Sequence, residues 1–297
     1  MFKGSGSYVD AEPNSIDAVI CDEAHRLNDK SGMFHNLGEN QIKEIINAAL
    51  CSIFFIDESQ RVTLSDIGSV AEIRRWADEL ESEVMEMELV SQFRCNGSDG
   101  YLAWLDDVLE IRETANFDLK DIDYDIKIVD SPNEVRDLII ERNRVHNRAR
   151  ILAGYCWAWI KAGQNNTDVH DIKIGDFGMS WNLGNTTTFA IDETSVNEVG
   201  CIHTSQGLEF DYAGVIIGDD MRYQDGHIVT DFTKRAKTDQ SLKGIKKLYR
   251  ENPEKALKEA DEIIKNTYRT LMTRGMKGCY IYCTDQKLAD YLKECLK

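Results

Sequence analysis

Ile16-Asp17-Ala18-Val19-Ile20-Cys21-Asp22-Glu23-Ala24-His25 is a short apolar run that stops on two adjacent carboxylates. Buried parallel strands read as continuous apolar runs rather than alternating ones, so the run predicts an interior strand. In open α/β sheets, ligands bind just beyond the carboxyl ends of such strands. Asp22 and Glu23 fall at that end, where their oxygens can serve a Mg²⁺-bound triphosphate and its attacking water. The plain alternative is a strand that ends in solvated acids.

Working outward, a second apolar run, Cys51-Ser52-Ile53-Phe54-Phe55-Ile56, also ends in acids, Asp57-Glu58. Residues 40–50 between the runs carry Ile42, Ile45, Ile46 and Ala49 on one helical face. Strand, helix and strand make the unit from which parallel sheets are built. A further helix is predicted over 70–80. Beyond it, strands are predicted at 124–129, 149–156, 199–203, 213–218 and 278–284, with helices at 133–142, 254–274 and 285–297. Gly275 suits a helix stop and Asp285 a helix cap. There are only three prolines, and no linker or internal repeat is evident. The pattern predicts two α/β lobes that divide somewhere between residues 88 and 101.

The chain has 297 residues, 42% of them hydrophobic and 29% charged, which is a globular composition. No apolar run approaches the roughly 20 residues of a membrane span, and the first residues lack the apolar core of a signal peptide. The eight cysteines include no CxxC pair. Cys279 and Cys283 share a strand face and read as core thiols rather than zinc ligands. A reducing cytoplasm is expected. The net charge of −17 opposes generic binding to nucleic acid, but a local basic groove is compatible with it. One candidate is 231–250, with seven Lys or Arg against two Asp; another is Arg142, Arg144, Arg148 and Arg150.

Four further blocks carry chemistry. In Asp57-Glu58-Ser59-Gln60, the Gln60 amide can donate to a phosphate oxygen or hold a water. Gln92-Phe93-Arg94-Cys95 puts an arginine near the lobe boundary, where it can neutralise developing phosphate charge. His203-Thr204-Ser205-Gln206-Gly207-Leu208-Glu209-Phe210-Asp211 offers Gly207 for close backbone approach and Glu209 to accept from a ribose hydroxyl. Tyr268-Arg269-Thr270-Leu271-Met272-Thr273-Arg274-Gly275 ends a helix on a second candidate arginine finger. The spacings of His25, His35 and His203 fit no zinc site.

Taken in order, these blocks resemble the superfamily 1 helicases of the UvrD/Rep type. DEAH, DESQ, QFRC, HTSQGLEFD and LMTRG look like helicase motifs II, III, IV, V and VI. QFRCNGSDGYLAWLD and YRTLMTRGMKGCYIYCTD resemble more closely a helicase-like ATPase group, domain-of-unknown-function family 2075, which neighbours the Schlafen ATPases. The resemblance covers residues 16–285.

It implies a RecA-like P-loop NTPase architecture: α/β, with parallel sheets flanked by helices. Residues 1–92 would be the C-terminal part of a first RecA-like lobe, with motifs II and III. Residues 93–297 would be a complete second lobe, with motifs IV, V and VI. ATP would lie in the cleft between the lobes, with Asp22 and Glu23 at Mg²⁺ and Glu23 as general base. Gln60 would sense the γ-phosphate, Arg94 and Arg274 would be the arginine fingers, and Gly207 and Glu209 would contact phosphate and ribose. The implied activity is ATP hydrolysis coupled to binding or remodelling of nucleic acid, DNA or RNA.

The chain also departs from the pattern. It contains no GxxxxGK[ST], and no Gly-Lys pair at all, so the loop that cradles the β and γ phosphates is missing. The expectation is a fragment of a longer ATPase, inactive by itself, with a partial first lobe open to self-association. No aromatic follows Gln60, where the sequence runs Arg61-Val62-Thr63-Leu64, and Gln206 stands where motif V often has lysine. A non-catalytic module that binds nucleic acid or protein is the alternative. A Mg²⁺-dependent nuclease built on Asp22, Glu23, Asp57 and Glu58 is a more distant one.

Overall fold

A computed structural model describes the chain except for residues 33–35, 89–94, 96–98, 115–118, 120–121, 161–165, 167 and 183–187. It divides into two compact units, Met1–Leu89 and Val90–Lys297.

The first unit contains β1 (Ile16–Cys21), α1 (Gln41–Ala48), β2 (Ala49–Phe54) and α2 (Val70–Glu79). β1 and β2 pair in parallel, from Ile16 opposite Ala49 to Cys21 opposite Phe54. Asn40 starts α1 by accepting from the Ile42 and Lys43 amides, an N-cap worth about 1 kcal/mol. Helix becomes strand without a loop: Ala49, expected on the helix, is already extended.

Val19 and Ala49 pack with Ile42, Ile45 and Ile46 of α1 and with Trp76 and Ala77 of α2. The opposite face of the pair is not covered in this way. Ala18, Ile20, Cys51, Ile53 and Phe55 are exposed, Ile20 to 67%. The continuous apolar runs predict burial on both faces; the helices α1 and α2 cover one.

The second unit contains α3 (Asp99–Val108), β3 (Asp125–Ile128), α4 (Pro132–His146), β4 (Ala149–Ala153), β5 (Ile172–Ile174), β6 (Phe177–Trp181), β7 (Glu198–Gly200), α5 (Ile202–Ser205), β8 (Phe210–Ile217), β9 (Met221–Gln224), β10 (His227–Thr230), α6 (Ile245–Glu251), α7 (Pro253–Met272), β11 (Gly275–Cys283) and α8 (Gln286–Glu294). Seven strands form one sheet in the order β3-β11-β8-β4-β7-β6-β5. Every neighbouring pair is parallel except β5 with β6. β9 and β10 form a separate hairpin.

The core joins Val135 and Ile139 of α4 to Ala149, Ile151 and Ala153 of β4 and to Val199 of β7. Cys279 and Cys283 are buried thiols, as the sequence predicts. Asp285 caps α8 by accepting from the Leu288 amide.

Two local expectations are corrected. Residues 199–203 are not one strand: the chain turns helical at Ile202, so His203 lies on α5. Gly275 is not the stop of α7, which ends at Met272 with Thr273 as its cap. Gly275 opens β11 at an irregularity in the β8 pairing, where a Cβ would lie 2.1 Å from the Gly278 carbonyl oxygen. Close backbone approach, not a left-handed turn, requires glycine there.

Candidate functional site

The carboxyl ends of β1 and β2 lie side by side. The Phe55 amide donates to the Cys21 carbonyl at 2.9 Å, and the Ala24 amide to the Phe55 carbonyl at 2.8 Å. Both acid pairs therefore leave the same edge of the first unit. Asp22 is exposed, and its Oδ1 accepts from the Glu23 amide at 2.9 Å. Glu23 has left-handed backbone, φ 51° and ψ 43°. A non-glycine residue held there is strained, as residues at ligand sites often are.

What holds Glu23 is visible around it. Its Oε2 stands 3.1 Å from Nε2 of His25, a side chain only 1% exposed. Ala24 is fully buried. Against it lies Gly68, where a Cβ would come within 1.9 Å of the Ala24 carbonyl oxygen. Only glycine permits this contact, and the Ile67 amide adds a 2.8 Å bond to the Leu27 carbonyl. Neighbouring Asp66 is buried. Burial pushes its carboxyl above the ordinary value, against the pull of Thr63, Arg26 and His25. Burial and the nearby Asp22 raise the Cys21 thiol to about 11.

The second acid pair is committed locally. Asp57 Oδ1 accepts from the Ser59 amide at 3.1 Å and its hydroxyl at 2.5 Å, and Oδ2 accepts from Gln60 Nε2 at 2.7 Å. Glu58 Oε1 accepts from the Val70 amide at 3.1 Å, at the start of α2. Gln60 is 4% exposed, with its amide turned onto Asp57. Asp57 and Glu58 thus shape the turn, and a four-carboxylate nuclease centre finds no support here.

Among the described residues no three His, Cys, Asp or Glu side chains gather to hold a metal ion. Asp22 and Glu23 still suit Mg²⁺, a hard ion bound through one or two carboxylates plus phosphates and retained waters.

In the second unit, Gly207 has φ +83° and lies exposed between α5 and β8. Glu209, two residues on, is exposed. Arg274 is 1% exposed. Its Nε donates to the Thr270 carbonyl at 3.1 Å and its Nη1 to the Leu208 carbonyl at 3.4 Å. The Phe210 amide returns a 2.8 Å bond to the Arg274 carbonyl. The 207–210 loop and Arg274 are therefore brought together, with the guanidinium held by backbone. Arg94 lies outside the described residues, as does His35.

Sequence reasoning missed two buried ionic networks in the second unit. Arg269 pairs with Asp106 of α3, which also binds Arg112 at 2.7 Å. Arg235 lies between Asp220 at 3.0 Å and Asp239 at 2.8 Å, all three buried. Tyr268 donates to Asp220 and accepts from the Gly218 amide at 2.9 Å. Burial and Asp220 push its phenol well up. The signal was present: Asp219-Asp220 follow β8 after a single glycine, much as Asp22-Glu23 follow β1.

The arginines at 142–150 divide: Arg144 and Arg148 are exposed, whereas Arg142 and Arg150 are engaged by other groups. Arg150 is fully buried and donates to Phe189 and Asp192 carbonyls and to Ser195 and Asn143 side chains, and burial lowers it to about 10. Arg142 binds Asp125 and the Tyr280 hydroxyl.

With this geometry in view, the family can be read. The profile described as Schlafen group 3, DNA/RNA helicase domain, matches residues 1–285. The chain belongs to this family. Uncharacterized protein YPL245W of Saccharomyces cerevisiae is 26% identical over 299 residues, covering 93% of this chain. The chain spans 64% of that relative's length. The C-terminal domain of a "possible DNA helicase" from Lactobacillus plantarum WCFS1 aligns over 67% of this chain and 95% of its own, at 12% identity and a TM-score of 0.27. A score that low carries no structural argument. The architecture is mixed α/β, with a largely parallel seven-stranded sheet flanked by helices. No described helix is long and apolar enough to cross a membrane.

Proposed function

We propose that this helicase-family chain contributes the metal- and water-handling half of an ATPase that acts on nucleic acid. The observation that carries the reading is Asp22-Glu23 at the carboxyl end of the parallel pair β1–β2, with Glu23 held in left-handed backbone against buried His25. Ligands bind at that end of parallel strands, and preorganised acceptors there need no rearrangement as charge develops.

In this reading the two units are RecA-like lobes of the superfamily 1 type, akin to family 2075. Asp22 supplies oxygens to Mg²⁺, which would neutralise charge on the β and γ phosphates of ATP. Glu23 orients the attacking water and accepts its proton, with the buried His25 ring 3.1 Å from its Oε2. Gln60 reports on the γ-phosphate by exchanging its Asp57 bond for a phosphate oxygen. Gly207 and Glu209 meet phosphate and ribose. Arg274, with Arg94, neutralises transferring phosphoryl charge, which requires Arg274 to leave the Thr270 and Leu208 carbonyls.

The sequence holds no GxxxxGK[ST] loop, so the full reaction is assigned to the protein as a whole. This chain by itself is expected to turn over well below the roughly 1–100 s⁻¹ of efficient phosphoryl-transfer enzymes. The same absence favours a second reading, a non-catalytic module that binds nucleic acid or protein.

Manganese separates the two. Electron paramagnetic resonance of Mn²⁺ with ATP should show an ion bound to the wild-type chain and released by Asp22→Asn. Equal Mn²⁺ binding by both proteins would remove the metal role from Asp22 and leave the binding module.

A further inference from the structure

Within a chain of net charge −17, residues 231–250 concentrate positive charge. The structure sorts these charges. Asp231 caps the turn that follows it and binds Arg222 at 3.4 Å. Asp239 is buried against Arg235. Both acids and Arg235 are thereby removed from the surface balance. Lys234, Lys237, Lys243, Lys246, Lys247 and Arg250 remain, all exposed. Of these, Lys247 has a carboxylate nearby, Glu251 at 3.9 Å, and its side chain is 76% exposed.

The surface is also held in place. The Phe232 ring packs on Tyr249 with centroids 5.6 Å apart, which joins the turn bearing Lys234 to α6, bearing Lys246, Lys247 and Arg250. Arg235 anchors the loop to Asp220 beyond β8. Asp239 receives the Ser241 amide at 2.9 Å, and Leu242 and Ile245 are buried. Ser241 Oγ meets His203 Nε2 at 3.2 Å, which ties the loop to α5, just before Gly207. Tyr249 stays 42% exposed among the cations.

Exposed cations on an anchored loop and on α6, which also carries the exposed Tyr249, suit a flexible polyanion with unstacked rings. Phosphates meet the ammonium groups, and a base can stack on Tyr249. The acidic remainder of the chain repels such a ligand, so binding is confined to this surface. We propose that Lys234, Lys237, Lys243, Lys246, Lys247, Arg250 and Tyr249 form a contact surface for single-stranded nucleic acid. The proposal rests on the nucleic-acid half of the function above and gives it a place on the chain.

The test uses the full chain and a fluorescein-labelled single strand of about 16 nucleotides, followed by anisotropy at several salt concentrations. Each phosphate contact on a single strand adds about 0.7 to the log–log salt slope, so six contacts weaken binding about 300-fold between about 50 and 200 mM salt. Lys243→Gln/Lys246→Gln/Lys247→Gln leaves three contacts and should reduce that to about 20-fold. The triple Lys→Arg variant should behave as wild type, and both should melt at the wild-type temperature. Acetylation of Lys243, Lys246 and Lys247 should be suppressed by the oligonucleotide.

If wild type and the triple Gln variant bind with the same salt slope, this surface is wrong while the nucleic-acid reading stands. If wild type binds no oligonucleotide, both fail. Binding through the same lysines to vesicles of anionic lipid, without oligonucleotide binding, would also overturn the proposal and make the surface a membrane contact.

Discussion

Replacing Arg235 with Met leaves two carboxylates, Asp220 and Asp239, in the interior without their shared cation. Both acids and the arginine are at most 2% exposed in their side chains. Burial works against the guanidinium charge, yet Asp239 and Asp220 more than offset it and hold Arg235 above the ordinary arginine value. Removing one partner of such a buried pair costs about 3–5 kcal/mol. For a unit of this size each kcal/mol moves the melting temperature by about 2–4 °C, so Arg235→Met should melt about 6–20 °C lower. Circular dichroism melts at pH 7 give the value.

Asp220→Asn/Asp239→Asn in the Arg235→Met background removes both stranded charges and should recover most of the deficit. A melting change within about 2 °C, corresponding to roughly 1 kcal/mol or less, would refute the reasoning.

The first unit carries three more predictions. Gly68→Ala puts a methyl onto the Ala24 carbonyl and should destabilise that unit by about 1–3 kcal/mol, read as earlier proteolysis near Glu23. Asp66 binds its proton more tightly folded than unfolded, so stability is lost as pH rises through its folded value, above 3.8. Asp66→Asn should flatten that dependence and raise the melting temperature at pH 7. The bare face of Ile20, Ile53 and Phe55 should give β1 and β2 faster hydrogen exchange than β8, or a concentration-dependent dimer that Ile53→Thr disperses. Slow exchange of β1 in a strict monomer would contradict this.

The centre of the sheet was readable because β4, β8 and β11 are largely apolar and mostly buried, whereas the edge strand β3, Asp125-Ile126-Lys127-Ile128, alternates and has no fully buried residue. Among the helices, α8 was legible through its cap Asp285 and α1 through Ile42, Ile45 and Ile46 on one face, while Asn40, Ser131 and Asn252 are caps that the structure adds. The β5–β6 edge was not readable: Phe177-Gly178-Met179-Ser180-Trp181 mixes small and polar residues, and although β5 meets it in a tight local hairpin, its parallel partner β7 begins only at Glu198. Gly275 misled because a bulge and a helix stop demand the same residue. At the site, Asp22 and Glu23 were readable as acids ending an apolar run. Gln60 is engaged by Asp57 only three residues before it, a local bond that the motif reading passed over, whereas the hold of the Leu208 carbonyl on Arg274 comes from 66 residues away. Arg150 looked like surface charge because its acceptors, the Phe189 and Asp192 carbonyls, lie some forty residues downstream.

ATP hydrolysis by the natural gene product, with and without single-stranded oligonucleotide, tests the central claim most directly. The account predicts oligonucleotide-stimulated turnover that Glu23→Gln lowers by about 10²–10⁴, the range expected for a positioned general base, while ATP and Mn²⁺ still bind. Turnover that survives Glu23→Gln unchanged would contradict it.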